Sequence, residues 1–225
     1  MQGKVVVVTG AFGALGSAVT ERAREMGARP VAIDYASAPA NLRTDPLVFG
    51  GVDLSKAEDA VAVMTRARES AGRIDALLNI AGGFVWSKLE DSDDATWARM
   101  HALNLKTAVH ASRAALPHLI ESGGAIVNVG AFGALKAGAG FGAYAASKAG
   151  VHKLTESLAE ELKGKVRVNA VLPSIIDTEQ NRRDMPKADP SKWVRAGDLA
   201  KVMLFLASDD ARAVTGALVP VTGEM

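Results

Sequence analysis

The opening of this chain limits its fold more than any other stretch. Lys4 to Val8 is a continuous apolar run dominated by valine, and it leads directly into Thr9-Gly10-Ala11-Phe12-Gly13-Ala14-Leu15-Gly16. Leu15, Ala18, Val19, Ala23 and Met26 then recur at helical spacing. A strand apolar on both faces belongs to a parallel sheet covered on both sides. Between that strand and the helix, each glycine has its own reason. Gly10 permits the tight turn, Gly13 lets backbone approach a pyrophosphate, and Gly16 lets helix pack on strand. In this strand–turn–helix setting the pattern reads as a dinucleotide-binding turn.

The rest of the chain repeats the alternation. Strands are expected at 29–33, 47–52, 74–80, 125–129, 166–172 and 217–221, and Pro220 suits the last of these to a sheet edge. Helices are expected over 57–67, opened by a Ser55-Lys56-Ala57-Glu58 capping box, and over 94–121, 144–162 and 198–207, with Pro117 bending or tightening the second. The fold class is α/β: one Rossmann-type, doubly wound domain over 1–225, with a mostly parallel seven-stranded sheet and helices on both faces. One irregular segment, 174–195, carries Pro186 and Pro190 and follows a strand's carboxyl end, where such sheets bind ligands.

Composition narrows the chemistry. The 225 residues include no cysteine, which removes disulfides, thiol nucleophiles and Cys-ligated metals. His101, His110, His118 and His152 show no ligand spacing, so no metal is expected. With 26 basic and 25 acidic residues and no basic stripe, nucleic acid is not an expected partner. No apolar run reaches the ~20 residues of a membrane span, and no leader pattern is seen, so a cytoplasmic location is expected.

Asp34 ends the second strand, 18 residues after Gly16. A carboxylate there accepts from both ribose hydroxyls and repels a 2′-phosphate, and Tyr35 and Ala36 supply no cation. NAD(H) is therefore expected over NADP(H). Asp53, beside Leu54, either accepts from an adenine amino group or belongs to a helix-start turn. Tyr144 and Lys148 stand at i and i+4 on one helix face. A phenol near pKa ~10 is a poor proton donor or acceptor at neutrality, and a nearby ammonium lowers it. Asn104, among apolar neighbours, either binds a water that relays protons or ties a helix to a strand, and Asn79 is expected to hold strands together. Phe84, Trp86, Met185 and Trp193 either form an apolar slot for a flat ring or are ordinary lid packing.

Taken together, the Gly10–Gly16 turn, Asp53, Asn79 to Gly82, Asn104, Tyr144 to Lys148 and Pro173 to Thr178 resemble the short-chain dehydrogenase/reductase family over nearly the whole chain. The resemblance implies that Tyr144 is the proton donor or acceptor, that Lys148 lowers its pKa and holds ribose, and that Asn104 completes a relay. Cofactor contacts implied with it are Gly10, Phe12, Gly13, Ala14, Leu15, Gly16, Asp34, Asp53, Leu54, Ala81, Gly82, Tyr144, Lys148, Ile176 and Thr178. It also implies a homodimer or homotetramer.

Three positions depart from the family pattern. The turn is spaced TGxxGxxG, Ile80 replaces a second asparagine, and Ala131 stands 13 residues before Tyr144, where the family usually has a catalytic serine. The serine-less site, the turn Gly13 to Ser17, Ala81-Gly82-Gly83 before an aromatic, and the stretch from Ala170 to Trp193 resemble the quinonoid dihydropteridine reductases of that family. The substrate implied is a small, flat, conjugated C=N or C=O compound such as a quinonoid dihydropterin. The alternatives are a generic ketone or aldehyde reductase and an NAD-binding sensor with little turnover.

Overall fold

In the computed structural model, residues 1–224 are described. The chain starts at the middle of a sheet. Strand β1 (Val5–Thr9) is followed by helix α1 (Ala14–Glu25), β2 (Arg29–Ile33), β3 (Val48–Phe49), α2 (Ala57–Ala71) and β4 (Ala76–Asn79). Next come α3 (Asp94–Met100), a π-helical segment (His101–Lys106), α4 (Thr107–Ser122), β5 (Ala125–Val129) and α5 (Gly142–Glu161). The chain finishes with β6 (Arg167–Pro173), β7 (Ile176–Asp177), α6 (Glu179–Asp184), β8 (Val194–Arg195), α7 (Ala196–Ala207) and β9 (Leu218–Val221).

Seven strands form one sheet in the order β3-β2-β1-β4-β5-β6-β9, every neighbouring pair parallel. Pro220 lies on the edge strand β9, where a missing N–H costs no ladder bond. The valine run of β1 explains itself here. Val5 and Val7 point to the face covered by α2 and α4, with Val63, Met64, Ala111, Ala115 and Leu119. Val6 and Val8 point to the face covered by α1 and α7, with Val19, Ala23, Leu199, Met203 and Leu204. All four valines are fully buried, so period-two alternation yields a continuous apolar run when both faces are covered.

The connection from β1 goes outward to β2 and β3, then returns across β1 to β4. The order reverses between β1 and β4, and the crevice at their carboxyl ends is the place where such sheets bind ligands.

Several expected boundaries shift. The third strand is two residues, not 47–52, because Gly50 and Gly51 turn the chain at once; Gly51 has φ +74°. The fourth strand is Ala76–Asn79, shorter than 74–80. The expected helix over 94–121 is interrupted by the π-helical segment that carries Asn104, while Pro117 sits inside α4 without ending it. The capping box does not form. Ser55 donates its hydroxyl (2.6 Å) and its N–H (3.0 Å) to Asp53 Oδ1, and Lys56 occupies the N-cap of α2. Segment 174–195 is not structureless, since β7 and β8 pair within it and Asp177 holds Arg182 at 2.6 Å.

Candidate active site

The turn after β1 and the loop after β4 meet at the switch point. Gly10 has φ +64°, and a Cβ on it would stand 2.9 Å from Ala81 Cα. A Cβ on Gly16 would overlap the Gly10 carbonyl, so α1 can rise this close only without a side chain. Gly13 is the exposed N-cap of α1, and a Cβ there would touch only the Gly10 carbonyl oxygen, at 3.5 Å, so the helix N-terminus is accessible. A cleft of about 430 Å³ opens beside these groups, lined among others by Gly10, Asp34, Asp53, Leu54, Ala81 and Thr107. The glycine cradle, the bare helix N-terminus and the adjacent carboxylate fit a dinucleotide.

Within that set, side chains divide by role. Asp34 Oδ2 accepts from the Phe12 N–H at 2.8 Å, and Oδ1 accepts from the Ala36 N–H at 2.9 Å. Asp34 is thereby aimed by the turn itself, and the Phe12 N–H is committed to it. The Leu15 side chain lies in the core, so only its backbone can serve a cofactor. Asp53 forms the helix-start turn, its Oδ1 accepting from Ser55, while the residue also lines the cleft; the bonding to Ser55 holds its pKa below the ordinary value. Arg99 of α3 also lines the cleft and was not singled out in the sequence. It comes from a helix 65 residues beyond Asp34, so no local pattern announces it.

At the other end of the crevice stand Tyr144 and Lys148 of α5. Lys148 Nζ donates to the Val129 carbonyl at 2.7 Å. Asn104 is clamped on several sides. Its Oδ1 accepts from the Gly83 N–H at 2.9 Å, and its Nδ2 lies 3.0 Å from both the Gly83 carbonyl and Ser147 Oγ. The Asn104 side chain therefore ties the π-helical segment to the β4 loop and to α5. Gly82 passes close by; a Cβ there would meet Asn104 Oδ1 at 2.6 Å and Lys148 Nζ at 3.4 Å. Asn79 bridges strands as expected, donating to Asn128 Oδ1 at 2.8 Å and to Ser112 Oγ at 3.0 Å.

Burial governs the ionisation here. It pushes the Tyr144 phenol up to about 12 and the Lys148 ammonium down to about 8. The expectation that the ammonium lowers the phenol is thus reversed by desolvation. A site that disfavours charge weakens the cation that would have done the lowering.

The walls are aromatic. The Phe84 ring meets Tyr144 edge-on at 4.9 Å and Phe141 at 5.2 Å. Trp86 is half exposed, with its Nε1 donating to the Ala139 carbonyl at 3.0 Å. Trp193, expected as a possible slot residue, is buried instead, and the Glu224 N–H bonds the neighbouring Lys192 carbonyl across it. Phe141, which no local sequence pattern marks, completes the aromatic wall beside Phe84 and Tyr144. Ile176 packs in the apolar cluster that includes Phe12 and Ile80, and Thr178 Oγ1 caps α6 through the Asn181 N–H at 3.1 Å.

Ala131 stands just past β5 and is buried. Its N–H donates to Nε2 of His152, one turn beyond Lys148 on α5, at 3.2 Å. Sequence reading treated His152 only as a non-ligand, since nothing local shows that it reaches the end of β5.

Comparison with known proteins agrees with this arrangement. The family model described as short chain dehydrogenase matches residues 4–189. Meso-2,3-butanediol dehydrogenase of Serratia marcescens is 34% identical over 98% of this chain and 93% of its own. The 3-oxoacyl-(acyl-carrier-protein) reductase of Thermotoga maritima is 30% identical, covering 99% of this chain and 98% of its own. Among solved structures, carveol dehydrogenase from Mycobacterium avium in complex with NAD superposes with a TM-score of 0.87 at 30% identity, covering 99% of this chain and 97% of its own.

Proposed function

This chain belongs to the short chain dehydrogenase family, and from that premise we propose that it is an NAD(H)-linked oxidoreductase acting on a small, flat, conjugated C=N or C=O substrate. One observation carries the substrate class. The residue in the usual serine position offers a methyl group, and its N–H is already donated to His152. No hydroxyl stands at this position, and its backbone N–H is committed to His152, so neither holds a carbonyl oxygen. A substrate that is itself strongly electron-poor needs least of such help. The rings of Phe84 and Phe141 beside Tyr144 supply flat apolar surface for it.

The cofactor, when bound, supplies or accepts the hydride. The protein's own part is positional and protonic. Gly10, Gly13 and the N-terminus of α1 take the pyrophosphate, and Asp34 takes ribose hydroxyls. Lys148 holds ribose at the reaction end. Tyr144, kept neutral by burial, gives its phenolic proton to the substrate atom that gains electrons, and Lys148 provides the charge that stabilises the phenolate left behind.

The second reading is a simple ketone or secondary-alcohol enzyme. It is favoured by relatives named for butanediol and 3-oxoacyl substrates. The relatives lend no support to a dihydropterin, so that compound serves as one probe of the conjugated class. Ala131→Ser separates the readings when NADH oxidation is followed with quinonoid dihydropterin, menadione and 2-butanone. We expect the conjugated acceptors to be turned over by the unchanged protein, and the variant to gain about tenfold or more with 2-butanone alone, part of what one oxyanion donor contributes. Turnover of 2-butanone above the conjugated acceptors in the unchanged protein would establish the second reading. NADH binding without turnover of any acceptor would favour a sensor.

A further inference from the structure

The end of β5 is gripped by two side chains of α5, one helical turn apart and of opposite polarity. Lys148 Nζ donates to the Val129 carbonyl at 2.7 Å, and His152 Nε2 accepts from the Ala131 N–H at 3.2 Å. The residue between them is Gly130, which has no side chain where the imidazole lies; a Cβ there would stand 2.6 Å from His152 Nε2. One donor, one acceptor and one glycine thus fit three consecutive strand-end residues. An N–H can donate only to an unprotonated ring nitrogen, so the imidazole is neutral and carries its proton on Nδ1.

We propose that His152 is a positioning residue: in its neutral form it holds the Gly130–Ala131 backbone against α5 and sets where Ala131 stands beside Tyr144 and Lys148, and its protonation releases that backbone. The proposal rests on Tyr144 and Lys148 forming the reaction centre.

Protonation would place an N–H opposite the Ala131 N–H and a second buried cation one turn from Lys148. Burial and then the Lys148 charge hold His152 below its ordinary value of 6.5; Glu156 opposes this and Lys153 reinforces it, both from α5. The strand end itself presents only backbone, and the β6 side chain nearest Gly130 is the apolar Leu172. The sign follows. The grip is complete above pH 6.5 and is lost as pH falls through the lowered folded-state value.

The test uses the full chain, labelled with ¹⁵N, beside His152→Gln and His152→Leu. A glutamine oxygen can accept the same N–H but does not titrate, whereas leucine fills space and accepts nothing. The Ala131 amide should be protected from exchange above pH 6.5 in the unchanged protein, and its shift should titrate with a midpoint below that. In His152→Gln it should stay protected throughout, and in His152→Leu its exchange should quicken. With NADH and menadione, His152→Leu should lower kcat about ten- to a hundredfold, the scale of a misplaced reacting group, with NADH affinity held within about twofold. His152→Gln should recover most of that turnover and lose the acid limb. An Ala131 amide that does not titrate, or a leucine variant with unchanged kcat and acid limb, would overturn the proposal. So would equal impairment of both variants with parallel losses of NADH affinity and Tm. Failure of the unchanged protein to turn over menadione counts against the proposed function, while the amide measurements still decide whether His152 holds the strand end.

Discussion

At the proposed cofactor end of the crevice, the groups of the candidate site come chiefly from backbone and lie close together in the chain. Gly10, Gly13, Gly16 and Asp34 span one strand–turn–helix–strand unit, and Asp34 is aimed by N–H groups of Phe12 and Ala36. At the reaction end, Gly82 and Gly83, Asn104, Val129 to Ala131, and Tyr144, Lys148 and His152 arrive from four separate stretches. There the polar side chains of Asn104, Lys148 and His152 are buried and held by specific long-range bonds. The contrast shows two ways to build precision. One relies on local steric permission, the other on packing that brings distant polar groups together out of water.

The contrast would break most sharply at Tyr144. Tyr144→Phe should lower kcat about 10²–10⁴-fold with the conjugated acceptors, the usual scale of lost acid–base catalysis. NADH affinity, read by cofactor fluorescence, should change little, because the two ends are built independently. An equal loss of NADH binding would show that they are not.

Lys148 lies where the ends join, so Lys148→Met should damage both turnover, by about 10²-fold, and NADH affinity. Its pH dependence sharpens the point. Because burial brings the ammonium down to about 8, kcat/KM should fall as pH rises through that value and the side chain loses its charge. Stability should move the other way. The folded state bears the cost of a buried cation below about 8, and that cost is relieved between about 8 and 10.5. Disappearance of the alkaline limb of kcat/KM in Lys148→Met would assign it; persistence of the limb would assign it elsewhere.

The smallest effect is expected at the cofactor end. Asp34→Ala should weaken NADH about tenfold, the scale of hydrogen bonds to a charged group, and weaken NADPH less. Steady-state KM values for both cofactors would show it. An unchanged ratio would mean that Asp34 only braces the turn through Phe12, and that Arg99, which lines the same cleft, has a larger share in the choice.

How much was legible in the sequence follows the same division. The valine run, the glycine turn and Asp34 could be read because each is dictated within a few residues, by period-two burial or by the space a Cβ would occupy. The Ser55 capping box was misread for a local reason as well: Asp53, two residues earlier, competes for the same hydroxyl and wins it. Trp193, one of four residues readable either as a ring slot or as lid packing, takes the packing role because residues 223–224 lie over it.

By itself, then, the amino-acid sequence determined the alternating strand–helix order, the parallel sheet, the switch-point turn and the spacing of Tyr144 and Lys148 on one helix face. Only the tertiary structure decided that Asn104 is locked to Gly83 and Ser147, that Phe84 and Phe141 flank Tyr144, and that His152 takes the Ala131 N–H. It also decided the direction of ionisation, since the spacing of an ammonium and a phenol says they are neighbours but not how much water is left around them. Local geometry is encoded in neighbouring residues, while desolvation and long-range hydrogen bonds exist only once the sheet has brought its strand ends together.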